Sequence, residues 1–284
     1  MKILFSNAPQ SIESPWGGGN VLLYHLCEHL NKGGHEVVFE LEDDVDLCYI
    51  TDPRNSDHFY YWAEERGIPI VQRVGDLGTH NKPELLKKIK DNQSVVETFI
   101  FPSSWAKSYA KENGIATSKD VVLPNVADHS FTGDKLKIVT HHWSDNPRKG
   151  ANTYAQLVRD LDYLNVEFTY IGRMCFNTEG GKNFKHIEPL VKKDLNKELR
   201  KHDFYLTASE AEAGANHVLE AIACNLPVLY STEGGSIPEY CRGRGIPYAS
   251  YEELRSYLEP KPSLSAICES YVKVFEEARS SYGK

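Results

Sequence analysis

The 284-residue chain is short of positive charge: 32 Lys and Arg stand against 40 Asp and Glu, for a formal net charge of −8. A nucleic-acid binder carries a basic surplus, so that class is set aside and only local basic patches remain open. No run of 18 apolar residues occurs, and no segment reads as a membrane span. The opening MKILFSNAP has too short an apolar run for a secretory signal and reads as a first buried strand. The six cysteines, Cys27, Cys48, Cys175, Cys224, Cys241 and Cys268, form neither a Cys-x-x-Cys pair nor the Cys/His spacing of a zinc site. Most lie in apolar runs, as reduced core thiols of a cytoplasmic protein do. Repeats and low-complexity tracts are lacking too.

What is present suits two α/β halves of about 130 to 150 residues each. The chain is organised around Ser209 to Glu239, SEAEAGANHVLEAIACNLPVLYSTEGGSIPE. A loop leads to a helix opening near Ala215, then a buried strand at Pro227 to Tyr230 and a second glycine loop at Gly234 and Gly235. Glu212 falls in the first loop and Glu220 within the helix. At a rise of about 1.5 Å per residue, a ligand with charge at the helix start and hydroxyls about 8 Å away fits the pair. The free amides at a helix start cradle phosphate, here those near Gly214, Ala215, Asn216 and His217. Glu220, leaning back toward that start, can accept hydrogen bonds from a ribose. A nucleoside diphosphate is the natural guest; the plainer alternative is an amphipathic helix with a solvated glutamate at each end.

EAGANHVLEAIACNLPVLYSTEGGSIPE resembles the nucleotide-binding core of retaining GT-B glycosyltransferases of family GT4, the group 1 glycosyl transferases, with their Glu, seven residues, Glu signature. The resemblance implies an α/β GT-B fold: two Rossmann-like domains with mostly parallel sheets facing a cleft. An acceptor domain would span 1–131 and a donor domain 132–284, the last helix crossing back. It assigns Glu212 to the transferred sugar and Glu220 to the ribose. Asn225 stands where the family has Gly, at the helix C-terminal cap. No metal or other cofactor is implied, because cations and a helix terminus supply the electrostatics.

Along the chain, Lys2 to Ser6 reads as a strand followed by a loop with Pro15, Trp16 and Gly17 to Gly19. Asn20 is expected to cap a helix over Val21 to Asn31. Leu22 stands where the third glycine of a dinucleotide fingerprint would be, so a dinucleotide site is set aside. By resemblance the loop lies near donor and acceptor, with Gly18 and Gly19 donor-binding. Glu36 to Leu41, Val45 to Ile50 and Pro69 to Val74 read as strands, and Asp57 to Arg66 as a helix. Asp44-Val45-Asp46 matches a metal-binding Asp-x-Asp but is read as a solvated turn. Arg73-Val74-Gly75-Asp76 ends a strand where such sheets bind ligands. Gly75 stands where the family often has a His, and Asp76 or His80 is proposed in its place. Leu85 to Lys90 is basic and amphipathic, a solvated helix or a face for peripheral membrane contact. Phe99 to Pro102 is a strand, Ser103 or Ser104 caps a helix through Glu112, and Val121 to Leu123 is a strand. Pro124 to Asp128 resembles the family's PNGVD segment, placing a hinge at Asp128 to Lys135.

Lys137 to Thr140 opens the second half, with His141 and His142 in the following loop. Lys149 precedes a glycine and a helix, as does the lysine of the family's Arg, four residues, Lys motif. It carries over as a catalytic cation on the leaving diphosphate. Its arginine does not, since Ser144 occupies that position, and Arg148 or Arg173 is the replacement. Strands at Val166 to Ile171 and Phe204 to Leu206 and helices at Lys192 to Lys201 and Ser263 to Ser280 complete the reading. The implied activity is sugar transfer from a nucleotide sugar to a glycan, lipid or small-molecule hydroxyl. An epimerase on the same fold and a non-catalytic nucleotide-sugar binding or partner subunit remain the alternatives.

Overall fold

The structure, a computed structural model, describes residues 1–13, 17–115, 119–127, 133–179 and 181–282. Contacts divide the chain into two units, Met1–Thr132 with Lys261–Lys284, and Gly133–Pro260. Each holds a six-stranded, wholly parallel sheet. Parallel neighbours require crossovers, and helices supply most of them, as in Rossmann-like units.

In the first unit, β1 (Lys2–Phe5), β2 (Glu36–Val38), β3 (Leu47–Ile50), β4 (Ile70–Arg73), β5 (Thr98–Phe101) and β6 (Asp120–Val122) line up as β2-β1-β3-β4-β5-β6. The central runs LCYI, IVQR and TFIF are buried at every position, the pattern of strands covered on both faces. Helices α1 (Gly18–Lys32), α2 (Asp57–Glu65), α3 (Pro83–Asn92) and α4 (Ser104–Glu112) belong to the same unit. Ser103 caps α4 by accepting the Ala106 N–H at 3.1 Å. The strand order reverses between β1 and β3.

In the second unit, β7 (Leu136–His142), α5 (Ala151–Asp160), β8 (Val166–Gly172), β9 (Phe184–Ile187), α6 (Lys192–Leu199), β10 (Phe204–Thr207), α7 (Asn216–Ala223), β11 (Val228–Ser231), α8 (Ile237–Tyr240), β12 (Gly245–Tyr248) and α9 (Tyr251–Leu258) follow. The order β12-β11-β10-β7-β8-β9 reverses between β7 and β10. Helix α10 (Leu264–Ser281) belongs to the first unit, where Ile267, Tyr271, Val274 and Phe275 share a core with Ile3, Phe5, Leu22 and Leu26. Burying each such side chain contributes about 1.5–3 kcal/mol.

Several expectations change. Helix α1 starts at Gly18, with Gly17 at its cap, because the Asn20 side chain is engaged elsewhere. Its amide oxygen accepts the Gln10 N–H at 2.7 Å and its amide nitrogen donates to the Gln10 carbonyl at 3.0 Å. β7 runs on through His141 and His142, which are strand residues rather than loop residues, because Tyr170, Ile171 and Gly172 of β8 continue the ladder beside them. β9, β12 and α9 were not expected; their sequences are short or half exposed, so alternation and apolar runs are weak there. Asp44 and Asp46 are tied to structure: Lys2 Nζ donates to Asp44 at 2.8 Å, the Lys2 N–H to Asp46 at 2.8 Å, and Arg279 pairs with Asp46 at 2.9 Å. Leu85 and Ile89 of α3 are buried, so the apolar side of that helix faces its own core. Pro15, Trp16 and the Asp128–Thr132 part of the expected hinge lie outside the described residues.

Cys27, Cys48, Cys224, Cys241 and Cys268 are buried and Cys175 half-buried, all unpaired. Burial pushes the Cys27 and Cys48 thiols up to about 12 and those of Cys241 and Cys268 to about 11, so they stay protonated and inert. Among the described residues no helix is long and apolar enough to cross a membrane.

Candidate functional site

Open parallel sheets bind ligands beyond the carboxyl ends of their strands, where the strand order reverses. In the second unit that is the end of β7 and β10. β7 ends in His141 and His142, exposed by only 2% and 4%. The Tyr154 hydroxyl of α5 fixes this end: it lies 3.0 Å from His142 Nε2 and 3.1 Å from Thr140 Oγ1, and accepts the Ala208 N–H at 3.1 Å. Burial, with the neighbouring His217 and His141 acting the same way, pushes the His142 pKa well below the usual histidine value. It is a neutral ring, a structural partner of Tyr154.

The loop after β7 places Lys149. Asn146 caps the short turn Pro147–Lys149 by accepting the Arg148 N–H at 3.0 Å. Gly150 then takes a left-handed φ of 105°, and a Cβ there would stand 2.5 Å from the Ala208 Cβ. The turn is thereby pressed onto the end of β10, and the Lys149 ammonium forms a salt bridge with the Glu212 carboxylate.

Glu212 is held by the second glycine loop. Its N–H donates to the Gly234 carbonyl at 3.2 Å, and its carbonyl accepts the Ser236 N–H at 2.8 Å. Gly235, at φ 70°, lies so close that a Cβ would be 2.5 Å from the Glu212 carbonyl oxygen. Only glycine accommodates that approach.

Helix α7 then brings up two more groups. No side chain caps its first turn, whose cap is the buried Ala215. The Asn216 and Val218 N–H groups turn back to the Gly214 and Ala215 carbonyls at 3.2 and 3.0 Å, and Gly214 has open space where a Cβ would stand, so an outside acceptor can approach the remaining amides. His217 Nε2 lies 3.0 Å from Thr207 Oγ1. Burial, aided by His141 and Lys149 and opposed by Glu212 and Glu220, lowers its pKa to about 4. Glu220 takes a hydrogen bond from His141, Nε2 to Oε2 at 2.9 Å, and that bond above all holds its carboxyl below the usual range. The other ring nitrogen of His141 is buried with no hydrogen-bond partner among the described residues. A concavity of 160 Å³ between α6 and α7 opens beside Glu220. Asn225, in the expected glycine position, adopts φ 62°, a conformation Asn tolerates better than most residues.

The structure therefore gathers Lys149, Glu212, His217 and Glu220 at the carboxyl end of the sheet, and adds His141, which the sequence had placed only in a loop. Asn216 is exposed at the start of α7. Arg148 is exposed, 3.9 Å from Glu210. Arg173 is exposed just past β8, its N–H donating to the His142 carbonyl at 3.0 Å. Chemically the cluster offers a cation, an open helix start and two carboxylates, a set that can hold an anionic group beside hydroxyls. Among the described residues, no group of three or more His, Cys, Asp and Glu is placed to hold a metal ion.

The remaining candidates lie in the first unit. Gly18 and Gly19 open α1. Asp76 accepts the Gly78 N–H at 2.8 Å and pairs with Lys82 at 2.9 Å, so it stabilises its own loop, and His80 is exposed. Sequence reasoning passed over Arg73 in favour of Asp76. Its signal was a lone cation closing the apolar strand IVQR.

No protein-family model matches the chain, and no curated protein matches it. Among solved structures, it is similar to HepE from Anabaena in complex with UDP and glucose, at 13% identity over 99% of this chain and 97% of that one, TM-score 0.36. It is likewise similar to sucrose-phosphate synthase from Thermosynechococcus elongatus, at 12% identity over 99% and 97%, TM-score 0.36. Likeness this distant leaves the site to be read from its own residues.

Proposed function

We propose that the chain is a GT-B glycosyltransferase resembling family GT4, moving a sugar from a nucleotide sugar to an acceptor hydroxyl with retention and without a metal. The observation that carries the reading is the cluster at the switch point of the second sheet. There the Glu212, seven residues, Glu220 pair meets Lys149 beside an uncapped helix start. The donor diphosphate would lie against the amides of Gly214, Ala215, Asn216 and His217, with Lys149 turning from Glu212 to the phosphate.

That exchange matters for the chemistry. As the glycosidic bond breaks, negative charge grows on the leaving diphosphate, and a preorganised cation at that point stabilises the transition state more than the ground state. Glu212, released from Lys149, would receive sugar hydroxyls, and Glu220 the ribose. Arg173 is the better second cation, since Arg148 already has Glu210 within 3.9 Å. The nearby His217 ring is neutral at pH 7 and donates or accepts one hydrogen bond rather than adding charge.

A second reading, a nucleotide-sugar binding subunit without turnover, is favoured by the engagement of Asp76 with Lys82, which leaves that candidate base tied to its loop. Calorimetric titration with UDP-, GDP-, dTDP- and ADP-sugars, with and without EDTA, tests both. One nucleotide class should bind irrespective of EDTA, and Glu220→Ala should weaken it at least about tenfold, roughly 1.4 kcal/mol. Binding with release of the nucleoside diphosphate once a panel of glycan, lipid and small-molecule hydroxyl acceptors is added supports the transferase; binding without release in that panel supports the subunit. Absence of binding to every class, or its loss with EDTA, would overturn the reading.

A further inference from the structure

The first unit buries a positive charge that nothing in the donor chemistry uses. Arg73 closes β4 and is 8% exposed. Its Nη2 donates to the amide oxygen of Asn125 at 2.8 Å, a neutral partner. The two carboxylates that line the same cavity already have cations: Asp52 pairs with Arg54 at 2.5 Å and Asp76 with Lys82 at 2.9 Å. Among the described residues no carboxylate forms an ion pair with Arg73. A charge withdrawn from water without a counter-charge is costly, and an incoming anion would remove that cost.

The cavity has a volume of 390 Å³ and is lined by Arg73 together with Gly17, Gly19, Thr51 and Gly75. It lies at the carboxyl ends of β3 and β4, beside the reversal of strand order between β1 and β3. The 15-residue helix α1 starts on it, with no side-chain cap at Gly17 and no acidic residue in its first turn. The N–H groups of Asn20 and Val21 turn back to the Gly17 carbonyl at 2.9 and 3.5 Å, and among the described residues no acceptor takes those of Gly18 and Gly19, which are left for an outside acceptor. Two missing side chains keep the guanidinium open: a Cβ on Gly19 would stand 3.7 Å from Arg73 Nη1, and one on Gly75 only 2.2 Å from it.

We propose that this pocket is a phosphate site and that the acceptor of the transfer reaction is a phosphorylated hydroxyl compound held by Arg73 and the first amides of α1. The acceptor assignment rests on the glycosyltransferase reading; the anion site does not. The phosphate could also come from the donor's diphosphate, and the experiment separates the two.

The full chain is titrated by calorimetry with inorganic phosphate, with a hexose phosphate and its free hexose, and with the nucleoside diphosphate that binds best. Arg73→Gln, Gly75→Ala and Glu220→Ala are compared with the parent, each first checked for an unchanged unliganded melt. The proposal expects hexose phosphate to bind where the free hexose does not, and affinity for both phosphates to fall at least about tenfold in Arg73→Gln. Gly75→Ala, which displaces the guanidinium while keeping its charge, should weaken phosphate too and stands in if Arg73→Gln fails to fold. Glu220→Ala should lose nucleotide and keep phosphate, and the two ligands should bind together. Phosphate affinity unaltered in both first-unit variants, or no phosphate binding, overturns the site. Displacement of phosphate by the nucleotide, with nucleotide affinity falling in Arg73→Gln, overturns the acceptor assignment. Loss of nucleotide binding alone in the parent would strike the donor reading and leave the anion site standing.

Discussion

His141 Nε2 lies 2.9 Å from a carboxylate oxygen of Glu220, joining the end of β7 to the middle of α7. This bond keeps the carboxyl ionised to lower pH than usual, so a ligand meets an acceptor already oriented and charged. His141→Phe removes the donor and lets the Glu220 pKa rise toward its ordinary value of 4.5. Nucleotide affinity in that variant should therefore begin to fall at a higher pH than in the parent as the solution is made acid. Titrations between pH 4 and 7 read the difference; superimposable profiles would mean that Glu220 does not meet the ligand as a carboxylate.

Lys149 and Glu212 constrain each other, with side chains 26% and 14% exposed. Lys149→Met leaves the carboxylate partly buried without its cation, at a cost of about 1–3 kcal/mol. Turnover should fall at least about a hundredfold, because the developing charge loses its partner. Glu212→Gln keeps the shape and frees the lysine, so nucleotide affinity should hold while turnover drops. Denaturant melts and initial rates on the two variants separate these effects.

His217, with its pKa lowered to about 4, binds fewer protons folded than unfolded below its ordinary value of 6.5. Its share of stability is complete above pH 6.5 and is lost as pH falls toward 4. At about 1.4 kcal/mol per pKa unit, the upper limit is about 3 kcal/mol. Urea melts at pH 7 and pH 5 should show the parent losing stability and His217→Gln losing less of it.

Gly235 and Gly214 should respond oppositely to alanine. At Gly235 the φ of 70° and the 2.5 Å approach to the Glu212 carbonyl leave no room, so the substitution should cost about 2–4 kcal/mol and shift Glu212. Gly214 has open space around its Cβ position, and its alanine variant should melt within about 0.5 kcal/mol of the parent. Equal melts for the two would remove the backbone argument for how Glu212 is positioned.

Strands buried along all or most of their length, such as LCYI, TFIF and FYLT, were legible in sequence from their apolar runs, and so were the part-exposed edge strands β2 and β6, whose paired valines mark them. FKHI and GIPY, β9 and β12, are edge strands, partly exposed, and their mixed composition hid them. Asn20 looked like a helix cap because Asn is a good one, yet the Gln10 backbone, ten residues away, holds its side chain.

By itself the sequence determined the alternation of buried strands and amphipathic helices, hence two α/β units, because burial on both faces leaves its mark residue by residue. It also marked the Glu212, Glu220 and Lys149 motifs, whose spacing is local. Tertiary structure decided who meets whom. The strand order carried His141 to Glu220 across 79 positions, set Lys149 against Glu212 across 63, and left Arg73 buried with no carboxylate partner among the described residues. Those pairings follow from sheet order and glycine-permitted close approach, which depend on contacts between distant segments and leave no periodic trace along the chain.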